Sequence, residues 1–278
     1  METKKFFIVR SNFGHEIVAL LAAKSYNKEV IIIPIAETKD EFIRKSLIIW
    51  YQLQFFYANI RMINWEEIEM YEKDGFDFVA ALVSGKIPDE AWYHFAKFKL
   101  VPTYEVSVEY HVGGDYGFFI PQKLVSDGKC GKTAEEQSLV PEMFECLKKR
   151  SEKRVLMQHF SIQNDVEKVL ALGADYVPGL TENKMVFGIR NVLHSLFYPL
   201  YKHAKYSVGI AGTHSWYLLC MFPEIAQAIL YPYGGREHWD VIEDAWRSQD
   251  YPIHCLGYDK TGNMDAFQQQ IETVSLAL

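Results

Sequence analysis

The sequence predicts an α/β protein built as two doubly wound halves, and three observations carry that expectation. Short apolar runs such as Phe6-Phe-Ile-Val9 and Glu29-Val-Ile-Ile-Ile-Pro-Ile35 lack polar alternation, as strands buried on both faces of a parallel sheet require. Segments with helical spacing of apolar residues alternate with these runs along the chain. At 278 residues the chain reaches the length, about 250–300 residues, near which single hydrophobic cores stop growing, so two sheets are expected rather than one.

In order, Phe6–Val9 reads as a strand, Ser11-Asn-Phe-Gly14 as a turn, and Ile17, Val18, Leu20 and Leu21 as the apolar positions of a helix. Glu29–Ile35 reads as the second strand, 40–57 and 64–72 as helices, and Phe76–Val83 as another buried strand. Pro88 opens a helix to Lys97, since proline is tolerated in a first turn, and Lys99–Val108 reads as extended. Glycine-rich sequence from Gly113 to Gly131, followed by a charged helix ending at Arg154, is expected to form the crossing between halves. The rhythm then restarts, with strands at 155–160, 175–177, 206–211, 226–231 and 252–257. Helices are expected at 164–172, 186–205, 215–222, 239–246 and 264–276. Two Rossmann-like domains facing a cleft are the expected architecture, residues 1–150 and 151–278.

Composition removes several classes of function. Lys and Arg total 29 against 36 Asp and Glu, a net charge of −7, divided as 19 against 22 in residues 1–150 and 10 against 14 in residues 151–278. No basic face for a nucleic acid is expected from that balance. Aromatic residues reach 15%, a load suited to large packed surfaces and to pockets for flat or sugar-like ligands. Cys130, Cys146, Cys220 and Cys255 lie far apart with no Cys-x-x-Cys, so reduced thiols are expected rather than a zinc site. The apolar run before Arg10 is only four residues long, against about 7–15 in a secretory leader core, and no run approaches the roughly 18 apolar residues of a membrane span. A cytoplasmic protein with no transmembrane segment is the expectation.

Two turns carry the chemistry. Ser11-Asn-Phe-Gly-His-Glu16 follows the first strand, at the end where open α/β sheets bind ligands. Gly14 lets the backbone turn tightly, and His15 falls at a helix N-terminus, whose positive dipole lowers an imidazole's proton affinity and keeps it available as a base. Glu16 can orient His15 or act in its place; capping and turn formation explain the same residues without a ligand. Ser207-Val-Gly-Ile-Ala-Gly-Thr-His-Ser-Trp216 is again strand, turn and helix. The backbone N–H groups of Gly212, Thr213, His214 and Ser215, with two hydroxyls, make a site suited to a diphosphate; N-capping by Thr213 or Ser215 needs only one of them. Tyr231-Pro-Tyr-Gly-Gly-Arg-Glu-His-Trp239 follows a neighbouring strand, where Arg236 can pair with phosphate, Glu237 can hold a sugar or ribose hydroxyl and Trp239 can stack.

Other motifs are absent. Cys130-Gly-Lys-Thr133 imitates the end of a phosphate loop, but Ser126 stands where its first glycine belongs. No Gly-x-Gly-x-x-Gly follows the first strand, and His94, His111, His194, His203, His238 and His254 show no metal-ligand spacing, so no metal is expected.

Phe7-Ile-Val-Arg-Ser-Asn-Phe-Gly14 and Val208-Gly-Ile-Ala-Gly-Thr-His214 together resemble the GT-B-fold glycosyltransferases, most nearly the lipopolysaccharide heptosyltransferase group. The first segment is similar to that group's first strand and acceptor-side loop, the second to its donor-diphosphate turn. His15 stands where the group has an aspartate, which is similar to the Gly-His opening of other GT-B enzymes. Ile210-Ala211 lies where the donor turn carries an acidic residue.

The resemblance implies a metal-independent glycosyltransferase of polysaccharide biosynthesis. It would use no cofactor beyond a nucleotide-diphosphate sugar as co-substrate, with a carbohydrate or other hydroxyl acceptor as second partner. It implies His15 as base with Glu16 beside it, Asn12 and Gly14 in the acceptor-side loop, and Gly212, Thr213, His214, Ser215, Arg236 and Glu237 around the donor. A sugar-nucleotide 2-epimerase of the same fold and a non-catalytic nucleotide- or carbohydrate-binding protein are the alternative readings.

Overall fold

The computed structural model describes residues 4–10, 13–105, 112, 114–120, 153–156, 193–232 and 239–258. Its architecture is α/β, with two separate sheets in which every described pairing is parallel.

In the first sheet, β1 (Phe6–Val9) lies between β2 (Glu29–Ile32) and β4 (Phe76–Asp77), and β3 (Ile60–Met62) pairs outside β2, giving the order β3-β2-β1-β4. All four residues of β1 are buried, which is why its sequence is continuously apolar. Alternation of side chains across the strand divides them between two faces. Phe6 and Ile8 join Ile31 and Ile33 beside Phe42 and Tyr71. Phe7 meets the rings of Tyr26, Phe76 and Phe78.

Helices fill the connections: α1 (Phe13–Ser25), α2 (Lys39–Leu53), α3 (Ile68–Asp74) after a 3-10 turn at Trp65–Glu67, α4 (Phe78–Val83) and α5 (Asp89–Phe95). The hydroxyl of Thr38 caps α2 by accepting from the Glu41 N–H at 3.2 Å. Pro88 is the N-cap of α5, as its fixed φ allows.

The expected strand at 76–83 is corrected: only Phe76 and Asp77 pair, and the chain turns into α4 at Phe78. The Asp77 carboxylate accepts from the Ala80 N–H at 3.0 Å, a helix start that outweighs the strand-like run of apolar residues. Residues 99–105 form no regular element; there the Leu100 N–H donates to the Cys220 carbonyl and the Thr103 N–H to that of Phe55.

The second sheet has the order β6-β5-β7-β8-β9, from β5 (Tyr116–Ile120), β6 (Lys153–Leu156), β7 (Tyr206–Ile210), β8 (Ala226–Pro232) and β9 (Ile253–Tyr258). The described helices here are α6 (Leu193–Lys202), α7 (Thr213–Met221) and α8 (Trp239–Arg247). Residues 116–120, expected within the crossing between halves, are instead an inner strand, flanked by β6 and β7. The glycine that suggested a turn serves packing: a Cβ on Gly117 would run into the ring of Tyr206, itself fully buried. The expected elements at 164–172, 175–177 and 264–276, and the expected domain boundary at 150/151, lie outside the described residues.

Two compact units emerge, neither continuous in sequence. One comprises residues 1–108, 188–198 and 216–222, the other residues 109–187, 199–215 and 223–278. In the first, Trp92 and Trp216 stack with centroids 5.9 Å apart, and Phe56 meets Tyr217 edge-on. In the second, Ile229, Leu230 and Ile253 supply core from the strands and Trp239, Ile242 and Trp246 from α8. Cys220 and Cys255 are buried free thiols, and burial pushes both above the ordinary thiol range. Among the described residues no helix is long and apolar enough to cross a membrane.

Gly117→Ala is expected to destabilise the protein by about 1–3 kcal/mol, the usual cost of overpacking a filled core, seen as a lower urea midpoint. Adding Tyr206→Leu should recover part of the loss, because the two sites share one volume.

Candidate functional site

In each sheet one strand is a point of reversal. The chain runs from β1 to β2 and β3 on one side, then adds β4 on the other side of β1. It runs from β5 to β6 on one side, then adds β7, β8 and β9 on the other. Open α/β sheets bind ligands outside the C-terminal strand ends at such reversals. The two turns singled out by their sequence follow β1 and β7, so each stands at one of the two reversals.

At the first reversal, helix α1 opens at Phe13, so Gly14, His15 and Glu16 form part of its first turn rather than of the loop before it. Gly14 is buried, and His15 and Glu16 are 7% and 1% exposed, so the Glu16 carboxylate lies inside the unit rather than at its surface. Ser11 and Asn12 lie outside the described residues.

Arg10, the residue after β1, donates from Nε to Asp77 at 2.7 Å and from Nη2 to Glu72 at 2.6 Å. Burial disfavours the Arg10 charge, but its hydrogen bonds to Asp77 and Glu72 more than restore it, holding the guanidinium above its ordinary range. Asp77 thereby ties the ends of β1 and β4 together while it caps α4.

At the second reversal, Gly212 precedes α7, Thr213 is its first residue, and His214 and Ser215 follow, 9% and 3% exposed. The Ala211 N–H donates to the Leu230 carbonyl, tying the turn to β8. His214 Nδ1 lies 2.7 Å from the hydroxyl of Tyr201, a fully buried residue near the end of α6. The Tyr116 hydroxyl on β5 donates to the Leu200 carbonyl at 2.6 Å, and burial pushes that phenol up to about 12, so it remains a donor at neutral pH.

Arg236 and Glu237 lie outside the described residues. Trp239 is 3% exposed and stacks on Tyr231 at 6.4 Å, so it anchors the core instead of offering a face to a ligand. The Tyr231 hydroxyl donates to Asp240, and Glu243 accepts from the Cys255 N–H at 2.8 Å, binding α8 to β8 and β9. Among the described residues no group of three or more metal-ligating side chains gathers.

Sequence reasoning missed Tyr201, Arg10 and Asp77. Tyr201 meets His214 across 13 residues and two helices, with no local signal. Arg10 was legible only in part, as a charge ending an apolar run.

No protein-family model, curated protein or solved structure matches the chain.

Asp77→Ala removes both a helix cap and a half-buried partner of Arg10, and should cost about 1–2 kcal/mol in a urea titration. Asp77→Asn retains a capping oxygen and should cost less. Equal losses in the two variants would show that the charge on Asp77, rather than its cap, carries the effect.

Proposed function

We propose that the protein is a metal-independent glycosyltransferase that moves a sugar from a nucleotide-diphosphate sugar to a hydroxyl acceptor. The observation that supports this reading is the coincidence of the two sequence-marked turns with the two strand-order reversals. The start of α7 offers backbone N–H groups and a positive dipole end to the diphosphate, with Thr213, His214 and Ser215 at the same turn. Arg236 and Glu237 would complete that site on the phosphate and the ribose or sugar hydroxyls. His15, with Glu16 beside it, would supply the base in the first turn of α1, with Gly14 in the same turn and Asn12 on the acceptor side.

In the transfer, the base takes the acceptor hydroxyl's proton and the acceptor oxygen forms a bond to the anomeric carbon. The bond from that carbon to the diphosphate oxygen breaks, and the nucleoside diphosphate leaves with the electron pair. The donors at α7 then stabilise charge as it develops on the leaving group.

One observation favours a second reading, a non-catalytic nucleotide- or carbohydrate-binding protein. A base must reach a substrate proton, and His15 and Glu16 are almost wholly buried.

A ligand that binds only the folded state raises its stability by mass action, so a nucleoside diphosphate or its sugar conjugate should raise Tm in a thermal-shift panel. Replacing Thr213 and His214 together with Ala should abolish that shift. A flat panel for the unaltered protein would sink both readings of a nucleotide site. His15→Ala should lower turnover by about 10²–10⁴-fold while the shift persists. Unchanged turnover would remove His15 as base, and binding without transfer to any acceptor in the unaltered protein would favour the second reading.

A further inference from the structure

We propose that Tyr201 is a positioning residue for His214, and that its hydroxyl, donating to Nδ1, holds the imidazole in the tautomer protonated on Nε2. That tautomer makes Nε2 rather than Nδ1 the donor, the nitrogen that would then serve an anionic diphosphate at the β7–α7 turn; in this respect the inference rests on the nucleotide reading given above.

The argument begins with the pair itself. The Tyr201 oxygen and His214 Nδ1 are 2.7 Å apart, within the range of a strong neutral hydrogen bond, and the rings meet edge-on with centroids 6.2 Å apart. A phenol donates more readily than it accepts, and the bare nitrogen of a neutral imidazole is a good acceptor, so the proton between them belongs to Tyr201. A neutral imidazole carries one N–H, and engaging Nδ1 as acceptor leaves that N–H on Nε2.

The placement of Tyr201 is itself determined by the reversal. Leu200, its neighbour on α6, is fixed by the buried hydroxyl of Tyr116 on β5, and β5 pairs directly with β7, the strand that delivers His214. The two strands at the reversal therefore supply the two ends of one chain of groups: Tyr116 to Leu200, Tyr201 to His214. Capping of α7 needs none of it, because the start of a helix is satisfied by a hydroxyl or a backbone contact without a buried phenol two elements away. A phenol aimed at one ring nitrogen is how second-layer groups select a histidine tautomer.

The test reads the tautomer directly. In nitrogen-15 spectra of the full chain, with His214 assigned through its loss in His214→Gln, Nδ1 of the unaltered protein should resonate as the bare nitrogen and Nε2 as the protonated one. Tyr201→Phe, which keeps the ring and removes the hydroxyl, should abolish that preference. It should also weaken binding of inorganic pyrophosphate about 3–10-fold by calorimetry, the effect of losing one ordinary hydrogen bond. A proton on Nδ1 in the unaltered protein overturns the proposal without any variant, so a poorly folded Tyr201→Phe does not shield it. An unchanged tautomer in a folded Tyr201→Phe also overturns it, while pyrophosphate binding by the unaltered protein would leave the nucleotide reading standing. A tautomer that depends on Tyr201 in a protein that binds no pyrophosphate overturns the diphosphate reading and the role in binding with it.

Discussion

The constraint on which the rest depends is that one strand in each sheet is paired on both sides by strands reached in opposite directions. β1 is held between β2 and β4, and β5 between β6 and β7. A parallel strand cannot be joined to its neighbour by a tight hairpin, so each pairing needs a crossover segment that returns the chain to the same end of the sheet. All strand C-termini in a sheet then lie at one end, and successive loops gather there. Where the chain changes direction, two neighbouring strands send their crossovers apart, and the turns between them are not obliged to pack on one another. The β1–α1 and β7–α7 turns occupy those positions in their respective sheets.

Much of this was legible in the sequence, because a strand buried on both faces writes itself as an uninterrupted apolar run. Phe6–Val9 and Val30–Ile32 are found where that rule puts them, and the strands at Tyr206–Ile210 and Ala226–Tyr231 hold to it except at the buried polar residues Ser207 and Gln227 and at Gly209. The rule fails where two signals compete over a few residues. Phe76–Val83 is as apolar as any strand, yet Asp77 accepts from the Ala80 N–H and starts a helix after two paired residues. Residues 116–120 sit beside Gly113-Gly114 and carry Gly117, so composition suggests a crossing; the glycine is there because the Tyr206 ring occupies the space of its side chain. The first case turns on a local helix cap that competes with the apolar run, and the second on a ring from elsewhere in the chain, which no local reading supplies.

The candidate site divides in the same way. The turn residues His15, Glu16, Gly212, Thr213 and His214 were visible because they follow strands directly. The groups beside them were not, because Tyr201 reaches His214 over 13 residues, and Asp77 and Glu72 reach Arg10, the residue after β1, over 67 and 62. A spacing rule reads neighbours along one element, whereas these contacts are made between elements. Sequence thus located the turns, and only the fold supplied the groups that hold them.

Those groups differ between the two reversals in a way that bears on ligand charge. Beside the first, Arg10 is matched by two carboxylates, Asp77 and Glu72, both within 2.7 Å of its guanidinium nitrogens. One cation held by two anions leaves no surplus of positive charge, a poor setting for a phosphate and a tolerable one for an uncharged polyol, whose hydroxyls need donors and acceptors but no counter-charge. Beside the second, the group that meets His214 Nδ1 is neutral, the phenol of Tyr201, and the histidine stands at the positive end of α7. An anion placed there would meet the dipole end of the helix and the N–H groups of its first turn. Fixed dipoles oriented in advance stabilise charge without reorganising when it arrives, and it is the buried phenol, holding one nitrogen of His214, that would orient the nearest of them. That contrast in charge supports the proposed assignment of acceptor to the first turn and donor diphosphate to the second, alongside either turn's sequence.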